Sequence, residues 1–148
     1  MSKYFERSFR AYLETALWSS NAIDDEDVSL DGYGICDIDD ASKASLLDEF
    51  KRFFDEAIAL PVDPTDEDSD RLDEWIYEFN GVEYDGYERL GHDFWLTRNG
   101  HGAGFWDRHW KTDRQGWDLD MGDRLTTLAN SYGTCDLCIG DDGKIHTQ

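Results

Sequence analysis

Histidine, arginine and aspartate side chains gather in one short stretch, residues 91–108. His92, Asp93, Arg98, His101, Asp107 and Arg108 all fall there, and together they offer general acids, general bases and an anion clamp. A small enzyme or ligand-binding protein that degrades or sequesters a nucleotide signal would use His92, Arg98 and His101. No nucleophile or metal signature accompanies them, and turn histidines with cross-strand ion pairs explain the same residues. Catalysis is the alternative expectation, and a non-enzymatic role the main one.

Cys135-Asp136-Leu137-Cys138 has the spacing of a redox or zinc pair. A redox pair needs a helix N-terminus after it to stabilise the thiolate. Here Ile139-Gly140-Asp141-Asp142-Gly143 follows, which is a turn. In a strand, residues three apart point to opposite faces, so two unrelated free thiols are expected. Cys36, His92, His101, His109 and His146 are the other zinc donors, but no second CxxC or HxxxH spacing joins them. The acids of residues 63–74 imitate a calcium loop, but Asp68 stands where the EF-hand turn needs glycine. Gly100-His101-Gly102-Ala103-Gly104 runs on into Phe105-Trp106 rather than into a helix, which disfavours a phosphate-cradling loop. No metal and no cofactor is expected.

Charge is the strongest compositional signal. Over residues 1–88 there are 25 acids and 7 bases, against 9 and 7 over 89–148, for a net charge of −20. One domain is expected, with an acidic, mainly helical half (1–88) and a near-neutral, β-rich half (89–148). Such a charge excludes a generic nucleic-acid binder, which needs a basic face, and argues against anionic membranes. It favours a basic partner or fast steered association. Three cysteines without an N-terminal apolar segment suggest a reducing cytoplasm.

Several elements must position these groups. Phe5, Phe9, Tyr12, Leu13, Ala16 and Leu17 recur at helical spacing, predicting a helix over 4–18. Residues 19–40 contain Asp24, Asp25, Glu26 and Asp27 among eight acids and no base, and they predict a loop, with a short extended piece at 33–38. A second helix is expected over 41–60, capped by Asp40 or Ser42. A third would start at Thr65 and bury Leu72, Trp75, Ile76 and Phe79. Its outer face would carry Glu67, Asp70, Glu74 and Glu78 at spacings of 3, 4 and 4, a carboxylate row roughly 16 Å long at the helical rise. Asp63, Asp66, Asp68 and Asp73 thicken that row. Like charges at this spacing destabilise a helix, so a fold that keeps them has a use for them. The 91–108 stretch alternates aromatic and small residues around Asn99-Gly100, predicting an aromatic β-hairpin. A fourth helix over 121–132 should end at Gly133. A strand over 134–139, a turn at Asp141-Asp142-Gly143 and a return strand over 144–146 complete an α+β chain.

Residues 91–108 (GHDFWLTRNGHGAGFWDR), with 12–20 upstream and 132–145 downstream, resemble a family of small uncharacterised proteins of tailed bacteriophages. The resemblance implies phage origin and expression in the host bacterial cytoplasm, and it carries no established activity. Residues 78–90 and 109–117 are longer than that pattern, and Cys138 stands where an aromatic is expected. Taken together, these features lead to the expectation of a phage-encoded, non-enzymatic inhibitor. It would engage a basic host nucleic-acid-binding protein or nuclease complex, of restriction or CRISPR type, as an acidic nucleic-acid mimic. The expected contact residues are Asp24, Asp25, Glu26, Asp27, Asp63, Asp66, Glu67, Asp70, Asp73, Glu74 and Glu78, with Arg and Lys of the partner meeting carboxylates in place of phosphates.

Overall fold

The computed structural model describes residues 3–22, 25–76, 86–101, 104–105 and 121–147, with the backbone alone for 25–27. Among these residues the chain forms five helices and two antiparallel two-stranded sheets, an α+β architecture. The order is α1 (Lys3–Ser19), β1 (Asn21–Ala22), β2 (Asp25–Ser29), a 3-10 turn (Ile35–Asp37), α2 (Asp40–Ile58), α3 (Leu72–Trp75), α4 (Gly86–Arg98), α5 (Met121–Asn130), β3 (Leu137–Ile139) and β4 (Ile145–Thr147). No helix among the described residues is long and apolar enough to cross a membrane.

Helix α1 forms where its periodicity predicts it, burying Phe5, Tyr12, Leu13, Ala16 and Leu17. Helix α2 buries Leu46, Phe50, Phe53, Phe54 and Ala57. Its cap is Asp39, one residue earlier than expected, and the Ser42 amide donates to Asp39 Oδ2 at 3.1 Å. Of the piece expected to be extended at 33–38, only the flanks Gly34 and Ile38 are; Ile35–Asp37 between them form the 3-10 turn, and Ile38 bridges to Ile145 in parallel. The stretch expected to be loop after α1 contains the β1–β2 pair.

The main correction concerns residues 91–108. The structure places 91–98 in the second half of α4, not in a β-hairpin. Phe94, Trp95 and Leu96 are all buried, as are Arg89, Asp93, Thr97 and Arg98. A helix buried on every side has no polar face, so its sequence lacks the amphipathic signature and mimics strand alternation. Asn99-Gly100 terminates this helix. Gly100 has φ +71, its amide donates to Thr97 O at 3.2 Å, and the His101 amide donates to Leu96 O at 3.0 Å. This Schellman cap uses the same left-handed glycine that a hairpin turn would need. Trp106, Asp107 and Arg108 of the expected second strand lie outside the described residues, as do 109–117.

Gly91 explains how α4 reaches the centre. A Cβ there would lie 1.9 Å from the Ser8 carbonyl oxygen of α1, so only glycine allows the two backbones to meet. Phe94 then stacks on Phe53 of α2 at 3.7 Å between centroids and lies 5.2 Å from Tyr12 of α1. Phe50 touches Phe5, Tyr12 and Phe94 as well. Each fully buried ring contributes about 2–3 kcal/mol of burial energy, so this aromatic cluster joins the three helices. Helix α5 ends at Asn130 and is followed by Gly133 at φ +73, as the sequence predicts. The β3–β4 hairpin also forms as expected, pairing Leu137 with Thr147, Cys138 with His146 and Ile139 with Ile145.

Candidate functional site

The predicted third helix does not carry the carboxylate row. Residues 60–72 form a closed loop, and α3 is a single turn after it. Short acidic side chains take the backbone donors that a helix would need. Asp63 Oδ1 accepts from the Thr65 amide at 2.9 Å and the Thr65 hydroxyl at 2.6 Å. Asp66 Oδ1 accepts from the Asp68 amide at 2.9 Å. Repulsion at the i,i+4 spacings acts in the same direction. The expected helical row is therefore corrected: Glu67 and Asp70 lie in the loop and Glu74 in the single turn of α3.

The loop is nonetheless held firmly. The Val62 amide donates to Asp70 O and the Leu72 amide to Leu60 O, both at 2.8 Å, and Pro61 bridges Arg71 across the neck. Arg124 of α5 donates from its two terminal nitrogens to the carbonyls of Pro61 and Val62. Ser69 fastens the interior by accepting from the Asp63 amide and donating to the Asp63 carbonyl, each at 3.2 Å. Asp66, Glu67, Asp68, Asp70, Asp73 and Glu74 are exposed, and Asp63 is half-buried. Two of these acids are committed within the fold. The Trp75 indole donates to Asp70 Oδ2 at 2.7 Å, and the Tyr87 hydroxyl to Asp73 Oδ1 at 2.6 Å. The Thr65 hydroxyl, and then its amide, lower the Asp63 pKa. Arg71, the one base between 63 and 74, turns its guanidinium to the Glu67 carbonyl at 3.1 Å. Asp66, Glu67, Asp68 and Glu74 remain as an outward carboxylate group on a pinned backbone. Asp24 and Glu78 lie outside the described residues, and Asp25, Glu26 and Asp27 are placed only as backbone of β2.

The catalytic alternative is not brought together. His92 and Arg98 are six residues apart on α4, which separates them by roughly 9 Å along the axis and 240° around it. His92 Nδ1 meets Asp93 Oδ1 at 2.8 Å, and the imidazole packs on the Trp18 ring at 5.9 Å. Arg98 is a buried pin. Its Nε donates to Gly133 O at 2.8 Å, Nη2 to Tyr132 O at 3.1 Å, and Nη1 to the Tyr12 hydroxyl at 3.0 Å and to Glu49. Burial opposes its charge, but Tyr12 and Glu49 outweigh that and hold its pKa above the ordinary value. A guanidinium filled in this way cannot also clamp a substrate anion. His101 lines a separate polar cavity of about 240 Å³ with Asn99, Cys135 and Asp136. Burial pushes the Cys135 thiol up, opposite to what a nucleophile needs. Cys135 and Cys138 are free thiols, as expected, although Cys135 precedes β3 rather than lying in it.

One constellation is invisible in the sequence. Asp39, Asp142 and His146 bring one ligand atom each to within 4.8 Å of one another. His146 Nε2 lies 3.0 Å from Asp142 Oδ1, and Nδ1 lies 3.7 Å from Asp39 Oδ2. The hydrogen bond to Asp142 raises the His146 pKa and lowers that of Asp142. Sequence spacing singles out only His146, because Asp39 is remote in the chain and arrives through the Asp39 amide bond to Ile145 O at 2.8 Å.

No protein-family model, curated protein or solved structure matches the chain.

Proposed function

We propose that this chain is a non-enzymatic acidic inhibitor, phage-encoded, that occupies the nucleic-acid-contacting groove of a basic host protein. One observation carries this reading: Asp66, Glu67 and Asp68 of the 60–72 loop, with Glu74 in the α3 turn that follows, face solvent, and the loop backbone is clamped at its neck by Arg124 and two ladder bonds. Preorganised anions lose little entropy on binding, and they are matched by a partner that already holds its cations for phosphates. The remaining charge of the −20 chain steers encounter at long range. A nuclease or defence complex in the bacterial cytoplasm is the class of target this chemistry suits.

The test is affinity capture from bacterial lysate with the full chain and with the Asp66→Asn/Glu67→Gln/Asp68→Asn/Glu74→Gln variant. The expected catch is a basic nucleic-acid-binding protein that elutes with rising salt, is displaced by duplex DNA, and is lost with the variant. Capture of neutral or acidic proteins, or capture indifferent to DNA and to the four substitutions, refutes the reading.

A further inference from the structure

We propose that Asp39, Asp142 and His146, with Cys138 as a fourth donor, form a binding site for a borderline divalent cation of the Zn²⁺ or Co²⁺ type. The site is independent of the acidic loop. Its donors come from three places in the fold: the cap of α2, the β3–β4 turn, and strands β3 and β4 themselves. Three ligand atoms already lie within 4.8 Å of one another. Donors around one such ion, each at about 2.0–2.3 Å, lie roughly 3–4 Å apart; one imidazole nitrogen binds the ion, so the set closes when the Asp39 carboxylate, now beside Nδ1, swings to the Nε2 side where Asp142 lies.

Each donor is positioned by its backbone. Asp39 is held by the Ser42 amide on Oδ2, the oxygen that also faces His146, and a carboxylate oxygen has lone pairs for both a hydrogen bond and an ion. Asp142 is oriented by the Lys144 amide, which donates to its Oδ1 at 2.9 Å. Cys138 is the direct cross-strand partner of His146. Paired residues share a sheet face with Cβ atoms about 4.5–5.5 Å apart, so the Cys138 thiol, outside the present 4.8 Å group, joins it by turning toward the imidazole. Gly140 makes room for the group. A Cβ there would lie 2.6 Å from the His146 ring and 2.9 Å from Asp142 Oδ1.

The donor chemistry selects the ion. Carboxylates alone would suit Mg²⁺ or Ca²⁺, whereas an imidazole and a thiol beside two carboxylates favour Zn²⁺ and Co²⁺. The net charge of −20 raises the local concentration of any cation near the surface.

Titration of the full chain with Co²⁺, followed by visible and near-ultraviolet absorption, tests the site. The expected result is one saturable site with d–d bands and a thiolate charge-transfer band, undisturbed by millimolar Mg²⁺. His146→Gln and Asp142→Asn should each weaken binding by at least about tenfold, with circular dichroism confirming an unchanged fold. Cys138→Ser should remove the charge-transfer band. The Asp66→Asn/Glu67→Gln/Asp68→Asn chain should bind Co²⁺ as the parent does. Displacement by Mg²⁺, affinity unchanged in His146→Gln, or loss of binding with the loop substitutions overturns the proposal, because the ion would then be held by generic surface carboxylates. A parent spectrum without a thiolate band likewise overturns the four-donor site.

Discussion

Replacing Arg98 by methionine separates a structural pin from an anion clamp. The guanidinium makes four hydrogen bonds, to Tyr12, Glu49, Tyr132 O and Gly133 O. Methionine keeps the length and apolar stem but none of the donors. The Tyr12 hydroxyl is fully buried, and orphaning it costs about 1–3 kcal/mol. Glu49 is 28% exposed, so its carboxylate turns to water at a smaller cost. The two carbonyls beyond α5 lose their cap and rehydrate in part. Removing one partner from a buried charged pair typically costs about 3–5 kcal/mol in total, and the lower half of that range fits a glutamate that can reach water. With an m-value of about 2 kcal/mol/M, the urea midpoint should fall by roughly 1.5–2 M. Tyr12→Phe removes the orphaned hydroxyl, so the double variant should lose less than the sum of the single losses, by about 1–2 kcal/mol. If Arg98→Met lies within about 1 kcal/mol of the parent and shows no coupling to Tyr12→Phe, the pin is not structural and the anion clamp returns.

Three further outcomes follow from the same geometry. Gly91→Ala should destabilise by at least roughly 1–3 kcal/mol in thermal unfolding; helix propensity alone favours alanine by about 1 kcal/mol, but the 1.9 Å approach to Ser8 O forces α1 away, so a neutral result would contradict this helix crossing. Burial, then the hydrogen bond to Glu56, raises the Tyr132 pKa from 10.0 to about 12, and burial raises that of Tyr12 further. Both folded values lie above the unfolded one, so their stabilisation is complete below pH 10 and is lost as pH rises through the folded values. Phenolate absorbance should show Tyr12 and Tyr132 ionising late, together with unfolding. The Asp66→Asn/Glu67→Gln/Asp68→Asn chain should match the parent within about 0.5 kcal/mol in urea, because these side chains are exposed, asparagine at 66 keeps the Oδ1 that accepts the Asp68 amide, and the neck is closed by backbone and Arg124; a large loss would mean that the negative charges themselves hold the loop.

Sequence alone determined what local physics decides. The stripe Phe5, Tyr12, Leu13, Ala16 marks α1, and Leu46, Phe50, Phe53, Ala57 marks α2, because an element packed on one side leaves its period in the chain. Gly133 ends α5, and Asp141-Asp142-Gly143 turns the last hairpin for equally local reasons. The excess of acids, and their concentration around 63–74, was also legible without coordinates.

Only the tertiary structure decided the rest. Residues 91–98 are buried on every side, chiefly by α1 and α5 and through Phe94 by the rings of α2, and burial on every side erases periodicity. Asn99-Gly100 serves equally as a hairpin turn or a helix cap, since both need a left-handed residue. Side-chain capture of backbone amides at Asp63 and Asp66 turned the expected helix into a loop. Arg98 became a pin rather than a clamp through partners 34 to 86 residues away. Asp39 met His146 only when the Ile38 bridge drew the last strand onto the cap of α2. Contacts between such distant positions leave no spacing in a single chain, so they follow from packing and not from pattern.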